Sequence, residues 1–188
     1  MSLSLTLTLS LARPFLLSLL GLSLVQAGTP GQSVIQRGAY LVQVGGCNDC
    51  HTPLKMGPKG PEPDMARMLS GHPEALKMPP APQLPEGPWM ISMAATATAF
   101  AGPWGVSHAA NLTPDKETGL GGWTEAQFLQ MVRSGRHLGQ GRPVLPPMPV
   151  QNLRAATEAD LKAIFAYLKS VPAISNRVPA AVEPVAAH

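Results

Sequence analysis

Two cysteines and a histidine stand within five residues of one another, at Cys47, Cys50 and His51. Two thiols separated by two residues can each add across one vinyl group of the same porphyrin, and the histidine that follows can bind the iron. The chain has no other cysteine, so both thiols are used by one such group and no disulfide is left. The spacing therefore predicts a single covalently attached haem with His51 as an iron ligand.

The cysteine pair also matches two other kinds of site. A thioredoxin-like redox couple follows a strand in a βαβ unit, and no alternating or β-branched run precedes Cys47. A structural zinc site needs four ligands, whereas the chain offers two cysteines and five scattered histidines. We therefore favour haem attachment over thiol redox chemistry and over zinc binding.

The composition agrees with a small domain that holds a bulky apolar cofactor. The chain has 188 residues, of which 45% are hydrophobic but only 5% aromatic, which is thin for a self-sufficient core. With 21 prolines and 18 glycines, much of the chain is expected to be loop. The net charge of +3 suits an acidic partner surface and is too small to indicate nucleic-acid binding.

Three helices are predicted, each with a cap residue at its start and a glycine or proline at its end. They begin after Ser33, Thr124 and Thr157 and end at Gly45, Gly135 and Pro172. Residues expected to face the core recur at helical spacing, namely Val34, Gly38, Leu41, Val42, Phe128, Met131, Val132, Leu161, Ile164, Phe165 and Leu168. Since no strand pattern competes, the prediction is an all-α domain of about three main helices around one covalent haem.

Residues 52–110 show neither helical nor strand periodicity. Proline clusters at Pro58–Pro63 and Pro79–Pro88 exclude a long regular element there. We expect a long Pro-rich loop insertion that covers one haem edge or a docking face, or else a tolerated surface insertion. The domain as a whole is expected to span residues 28–175, with residues 176–188 as a disordered tail.

The first 27 residues have the pattern of a secretory signal. An apolar stretch follows Arg13, and Val25 and Ala27 place small residues at the −3 and −1 positions of a cleavage site after Ala27. The expected location is therefore the periplasm, in agreement with haem attachment outside the cytoplasm. The alternative is an uncleaved N-terminus that anchors the protein at the membrane surface.

The sixth iron ligand distinguishes electron transfer from ligand binding. Met148 lies in a loop whose flanking prolines leave a weak thioether ligand little conformational freedom to lose. Met148 is therefore the preferred distal ligand, whereas Met131 has the spacing of a helix-core residue. The alternative ligands are two methionines of the insertion and two histidines, namely Met90, Met93, His108 and His137.

Several short motifs occur in a fixed order along residues 34–175. They are Arg37–Val42 ahead of the cysteines, Ala110–Asp115, Thr118–Thr124, Met148–Pro149 and the closing helix Asp160–Leu168. Together they resemble the class I c-type cytochrome domain. The second and third of them are similar to elements in the cytochrome subunits of membrane-bound bacterial alcohol and aldehyde dehydrogenases. Those subunits commonly carry several such domains, whereas this chain has one haem motif.

The resemblance implies Met148 as the distal ligand and an electron carrier rather than an enzyme. Its expected partners are redox proteins, such as a dehydrogenase, a terminal oxidase or another cytochrome, with peripheral membrane association left open. Buried haem propionates need hydrogen-bond donors, and the candidates are Arg136, Trp123 and Trp104. The alternatives are a peroxidase-like haem enzyme and a gas or redox sensor, both of which need an open or displaceable sixth ligand.

Overall fold

The computed structural model describes residues 33–82, 84 and 87–184 of the chain. Within them lie five α-helices, α1 Val34–Val44, α2 Cys47–His51, α3 Glu125–Ser134, α4 Val150–Arg154 and α5 Glu158–Ser170. Five strands lie between α2 and α3, namely β1 Leu54–Gly57, β2 Gly60–Pro63, β3 Ser92–Met93, β4 Ala99–Gly102 and β5 Gly105–His108. The predicted signal sequence, residues 1–27, lies outside the described residues.

The three long helices begin where the caps predict. The side chains of Ser33, Thr124 and Thr157 each accept a hydrogen bond from the backbone N–H three residues further on. The first two also belong to reciprocal capping boxes, in which a glutamine returns a bond to the cap backbone. Helix α1 ends before Gly45, and α3 ends before Gly135, whose φ of 70° is the left-handed conformation that glycine adopts readily.

Helix α1 crosses α5 at Gly38. A Cβ atom added at Gly38 would lie 2.6 Å from the carbonyl carbon of Ala163 and 2.7 Å from Cβ of Tyr167. An ion pair of 3.0 Å between Arg37 Nε and Asp160 Oδ1 joins the same two helices at the surface. The absence of a side chain at Gly38 is therefore what allows the two backbones to approach.

The core lies where α1, α3 and α5 meet. Most residues of the predicted apolar stripes are buried there, namely Val42, Phe128, Val132, Leu161, Ile164, Phe165 and Leu168. Leu41 and Met131 are partly buried against this cluster. Val34 was expected in the core but is 59% exposed, because it lies in the first turn of α1, a full turn before the crossing at Gly38.

Two small antiparallel sheets lie within the insertion. Strands β1 and β2 form a hairpin in which Gly57 pairs with Gly60. Strands β3, β4 and β5 form a three-stranded sheet in the order β3-β4-β5, and Gly102 pairs with Gly105 at the β4–β5 turn. Glycines at the ends of both hairpins supply the backbone freedom that tight turns require.

The prediction of an all-α fold is wrong, because five strands in two antiparallel sheets make the fold mixed α and β. Strands of two to four residues are too short to display a period of two, so pattern analysis of residues 52–110 gave no signal. Pro61 and Pro63 belong to β2, which is possible because both strands of a two-stranded sheet are edge strands. Proline excluded a long element but not a short hairpin.

The chain after α5 runs back over the insertion. Asn176 is 2% exposed, and Val182 exchanges backbone hydrogen bonds of 2.8 and 2.9 Å with Val106 of β5. These residues belong to the segment 176–188 that the sequence predicts as a disordered tail, of which the structure describes residues up to Pro184. Among the described helices, none is long and apolar enough to cross a membrane.

Candidate functional site

The two cysteines and the histidine lie together on the short helix α2. Gly46 has a φ of 66° and reverses the chain between α1 and α2 without the steric cost that a side chain would bring. Cys47 packs partly buried against the core, and both thiols are free. Burial is the main cause that raises the pKa of each thiol. A single helical turn thus presents both sulfur atoms and the imidazole from a rigid element.

His51 is held in one orientation by a backbone carbonyl. Its imidazole is 7% exposed, and its Nδ1 lies 2.7 Å from the carbonyl oxygen of Ala110. Since a carbonyl only accepts, Nδ1 carries the proton, and Nε2 is left with a free lone pair. Burial lowers the pKa of His51, and the bond to Ala110 partly opposes that effect. A neutral imidazole with this second hydrogen bond is the usual form of a histidine that ligates a metal.

A buried segment of the insertion forms a backbone hydrogen bond with His51. The amide of Gly71 donates to the carbonyl of His51 at 2.8 Å, and the amide of His72 donates to the carbonyl of Ala109 at 2.9 Å. The amide of Leu112 donates to the carbonyl of Leu69 at 2.8 Å. Residues 69–72, here called the strap, therefore join α2 to the loop that carries the Ala110 carbonyl.

The insertion also contacts the loop that carries Met148. The hydroxyl of Ser107, in β5, donates to the carbonyl of Pro146 at 2.6 Å, and the indole N–H of Trp104 lies 3.2 Å from the same hydroxyl oxygen. Met148 is half-buried beside a cavity of about 310 Å³ whose lining includes Arg154. That cavity is lined by none of the α2 side chains named above.

The residues on α2 fit a covalently attached haem. Two free thiols and a buried imidazole with its Nε2 unused are the donor set that c-type attachment needs. The zinc alternative lacks ligands in the described part of the chain, where no three His, Cys, Asp or Glu side chains come close enough to share a metal ion. The strand that a thioredoxin-like motif requires does not precede Cys47 either, since α1 does.

The three candidate propionate donors lie in different surroundings. Trp104 already directs its indole N–H at Ser107. The ring of Trp123 makes an edge-on contact with the ring of His137 at 5.0 Å between centroids. Arg136 is exposed and donates to the carbonyl of Gly141 at 3.0 Å. Their role towards propionates stays a prediction.

Three of the four alternative iron ligands lie in the insertion, and the fourth follows α3. His108 lies in β5 with its ring centroid 4.8 Å from that of buried His72. His137 is exposed beside Trp123. Met90 and Met93, both 61% exposed, lie on the surface of the insertion.

Sequence reasoning missed the carbonyl of Ala110 that holds His51 and the buried Asn176 of the C-terminal segment. The Ala110 carbonyl belongs to a motif noted for its resemblance only, and no side-chain pattern marks a carbonyl. Asn176 lies in a low-complexity segment, where a single asparagine has no distinguishing signal. Their roles depend on contacts between residues that are far apart in the chain.

The chain is similar to the cytochrome c subunits of two dehydrogenases. The chain is 27% identical over 149 residues, 79% of its length, to the cytochrome c subunit of alcohol dehydrogenase (quinone) of Gluconacetobacter polyoxogenes, of which the match covers 24%. It is 26% identical over 135 residues, 72% of its length, to the gluconate 2-dehydrogenase cytochrome c subunit of Pantoea cypripedii, of which the match covers 22%. The chain thus spans about a quarter of the length of these two relatives.

A shorter match is more similar in sequence. Over 70 residues, 37% of the chain, it is 39% identical to one of the subunits of nicotinate dehydrogenase of Pseudomonas putida, of which the match covers 6%. No family model matches the chain. The cytochrome c subunits of alcohol and gluconate dehydrogenases support a cytochrome c-like family for this chain.

Proposed function

We propose that this chain is a single-haem c-type cytochrome that carries one electron at a time between redox proteins, with His51 and Met148 as axial ligands. The observation that carries the proposal is the arrangement of His51. Its imidazole is buried directly after the second cysteine, and the Ala110 carbonyl holds Nδ1 so that Nε2 remains for iron. The relatives named as cytochrome c subunits support the same assignment.

The chain's own residues would bind and orient the haem and exclude water from it. Cys47 and Cys50 would hold the macrocycle by thioether bonds to α2, and His51 would bind iron through Nε2. When bound, the haem supplies an iron that changes between the ferrous and ferric states. The bond from Nδ1 to the Ala110 carbonyl keeps the imidazole in one orientation and increases its basicity. Because α2 packs against the core, few groups are free to reorganise when the charge changes.

Met148 would supply the second protein ligand to the iron. The Ser107 hydroxyl holds the carbonyl of Pro146, two residues before Met148, so the loop is tied to the sheet of the insertion. A tied loop loses little entropy when a weak thioether ligand is ordered. His/Met ligation favours the ferrous state and gives a higher reduction potential than bis-His ligation.

The relatives also indicate a kind of partner. Because two of them are named as cytochrome subunits of dehydrogenases, we propose a dehydrogenase as electron donor and a terminal oxidase or another cytochrome as acceptor. The proposed location is the periplasm, after cleavage behind Ala27, with association at the membrane surface open.

Intact-mass measurement on periplasmic material tests the haem proposal. The expected mass is that of the chain from Gly28 with one haem that acid-acetone does not extract. The double variant Cys47→Ala/Cys50→Ala should keep no covalent haem, whereas the control Ser134→Ala, which keeps both thiols, should retain it fully. Extractable haem or bound zinc in the wild type would contradict the proposal.

A further inference from the structure

We propose that Asn176 is a positioning residue for the haem ligand His51, acting through the strap, residues 69–72. This inference rests on the proposed haem site and goes beyond it, since Asn176 lies in the segment after α5 and contacts neither cysteine nor Met148 in the described structure. It assigns a role to the chain's C-terminal segment in setting the properties of the iron.

The side chain of Asn176 is buried, and both ends of its amide are bonded. Its Nδ2 donates to the carbonyl of Ser70 at 2.7 Å and to the carbonyl of His72 at 2.9 Å. Its Oδ1 accepts from the amide of Glu74 at 2.9 Å and from Arg67 Nη2 at 3.3 Å. One amide group thus bonds to the strap itself and to the residues on either side of it. An asparagine side chain can do this because its amide carries two donor hydrogens and an acceptor oxygen.

The backbone around Asn176 is tied to the loop that carries the Ala110 carbonyl. Its amide donates to the hydroxyl of Thr118 at 3.0 Å. Asn111, the residue after Ala110, donates from Nδ2 to the carbonyl of Ile174 at 2.8 Å. The C-terminal segment therefore contacts the strap on one side and the Ala110 loop on the other.

The strap in turn contacts His51 and the residue before Ala110. The amide of Gly71 donates to the carbonyl of His51, and the amide of His72 donates to the carbonyl of Ala109. Gly71 also has a φ of 78°, and a Cβ there would lie 2.6 Å from the carbonyl carbon of Ala110, so the strap passes in close contact with this loop. A displacement of the strap therefore displaces the Ala110 carbonyl, which accepts a hydrogen bond from His51 Nδ1.

Removal of the Asn176 amide leaves the buried carbonyls of Ser70 and His72 without this donor, and the amide of Glu74 without its acceptor. Unpaired buried carbonyls drive the strap to rearrange towards water. A weaker bond between Nδ1 and the Ala110 carbonyl makes the imidazole less basic and a poorer donor to ferric iron. The expected result is a higher reduction potential and a different orientation of the imidazole plane.

Asn176→Ala in the holoprotein tests this directly. We expect the reduction potential to rise and the pattern of paramagnetically shifted haem-methyl protons in the ferric NMR spectrum to change. The matched control is Arg177→Ala, the next residue, whose exposed side chain forms only a surface ion pair with Glu117. It should leave both readouts unchanged.

A second control distinguishes a change in the orientation of His51 from a general loss of folding stability. Val171→Ala removes a side chain from the core cluster to which Leu69 of the strap also belongs, and it removes no hydrogen-bonding group of Asn176. It should lower the melting temperature with no change in potential or shift pattern. If Asn176→Ala lowers stability and leaves both haem readouts as in the wild type, Asn176 is a structural residue and the inference is wrong. Should Asn176→Ala not fold, Asn176→Ser, which keeps a hydroxyl too short to bridge the strap, is judged by the same readouts.

Amide hydrogen exchange measures the stability of the strap independently of haem attachment. The amides of Gly71 and Leu112 should exchange at least about tenfold faster in Asn176→Ala than in Arg177→Ala, whether or not haem is bound. A wild-type protein without covalent haem would overturn the proposed function while this exchange still reports on the strap. Unchanged exchange in a haem-loaded protein would overturn the strap and leave the haem assignment intact.

Discussion

At the scale of single residues, Met148 and Met131 offer two thioethers in different surroundings. Met148 lies half-buried in a proline-flanked loop, and Met131 lies in α3 against the core. Only the first is proposed to reach the iron. The pair therefore allows ligation to be tested against packing with the same chemical change.

Met148→Ala should open the sixth position to water or small ligands. The reduction potential should fall because a soft ligand that favours ferrous iron is lost. The variant should then bind carbon monoxide rapidly in a stopped-flow assay, which the wild type should not. Met131→Ala should lower the melting temperature and leave the potential nearly unchanged.

The contrary outcome has a clear meaning. A wild type that already binds carbon monoxide quickly, or a Met148→Ala variant with the wild-type visible spectrum, would show that the distal ligand is misassigned. The peroxidase-like and sensor alternatives would then be favoured over the carrier.

At the scale of elements, the contact of α1 with α5 organises the helical part of the molecule. Gly38 lies against the backbone of Ala163, and Phe165 of α5 packs on Phe128 of α3 with ring centroids 5.2 Å apart. The backbone of α5 at this crossing cannot shift to make room for an added side chain as a flexible side chain could. The two positions therefore test close approach and side-chain burial separately.

Gly38→Ala should lower the free energy of unfolding by about 1–3 kcal/mol or more, because the added methyl must push the α5 backbone away. Urea unfolding of the two proteins measures the difference. Gly87→Ala is the control, since a Cβ there meets nothing within 4 Å. A Gly38→Ala protein as stable as the control would mean that the helices do not cross at this residue.

Phe165→Ala should cost about 3–5 kcal/mol of stability, because the ring is only 7% exposed and its removal leaves a cavity. Trp89→Ala, at a site 79% exposed, should change stability by no more than about 0.5 kcal/mol. Thermal and urea unfolding report both. Equal effects of the two substitutions would place Phe165 outside the core.

At the scale of the whole molecule, the insertion connects the parts of the site that the helices leave separate. The strap supports His51, and Ser107 of β5 holds Pro146 in the Met148 loop. The insertion also contains the buried His72 and the half-buried His108, whose ring centroids lie 4.8 Å apart. His72 Nδ1 lies 2.9 Å from the hydroxyl of Thr98, and its Nε2 has no partner among the described residues.

Buried His72 should make stability depend on pH. Burial, and next the nearby His108, lower the pKa of His72 in the folded state. As the pH falls below about 6.5, the unfolded chain takes up the proton first, so the free energy of unfolding decreases towards the lowered folded-state pKa. His72→Gln should reduce the loss of stability between about pH 7.5 and pH 5.5 in urea titrations. The same substitution at exposed His137 should reduce it less, and an unchanged pH profile in His72→Gln would contradict the assignment.

The features that could be predicted from the sequence are those that depend on residues close together in the chain. The cap side chains of Ser33, Thr124 and Thr157 each bond to a backbone N–H only three residues further on. The buried stripe of α5 likewise repeats within one helix. The attachment motif works over five residues, so its chemistry can be deduced from the order of residues alone. Such local patterns predicted three helices and the candidate haem residues.

Contacts between residues far apart in the chain set the rest of the fold and of the site. The strands of the insertion are too short to be recognised without their partners. The carbonyl that orients His51 comes from Ala110, 59 residues further along, and the carbonyls that Asn176 holds are 106 and 104 residues away. Hydrogen bonds across such separations are set by how the whole chain packs, and a residue type carries no record of which backbone group will lie opposite it.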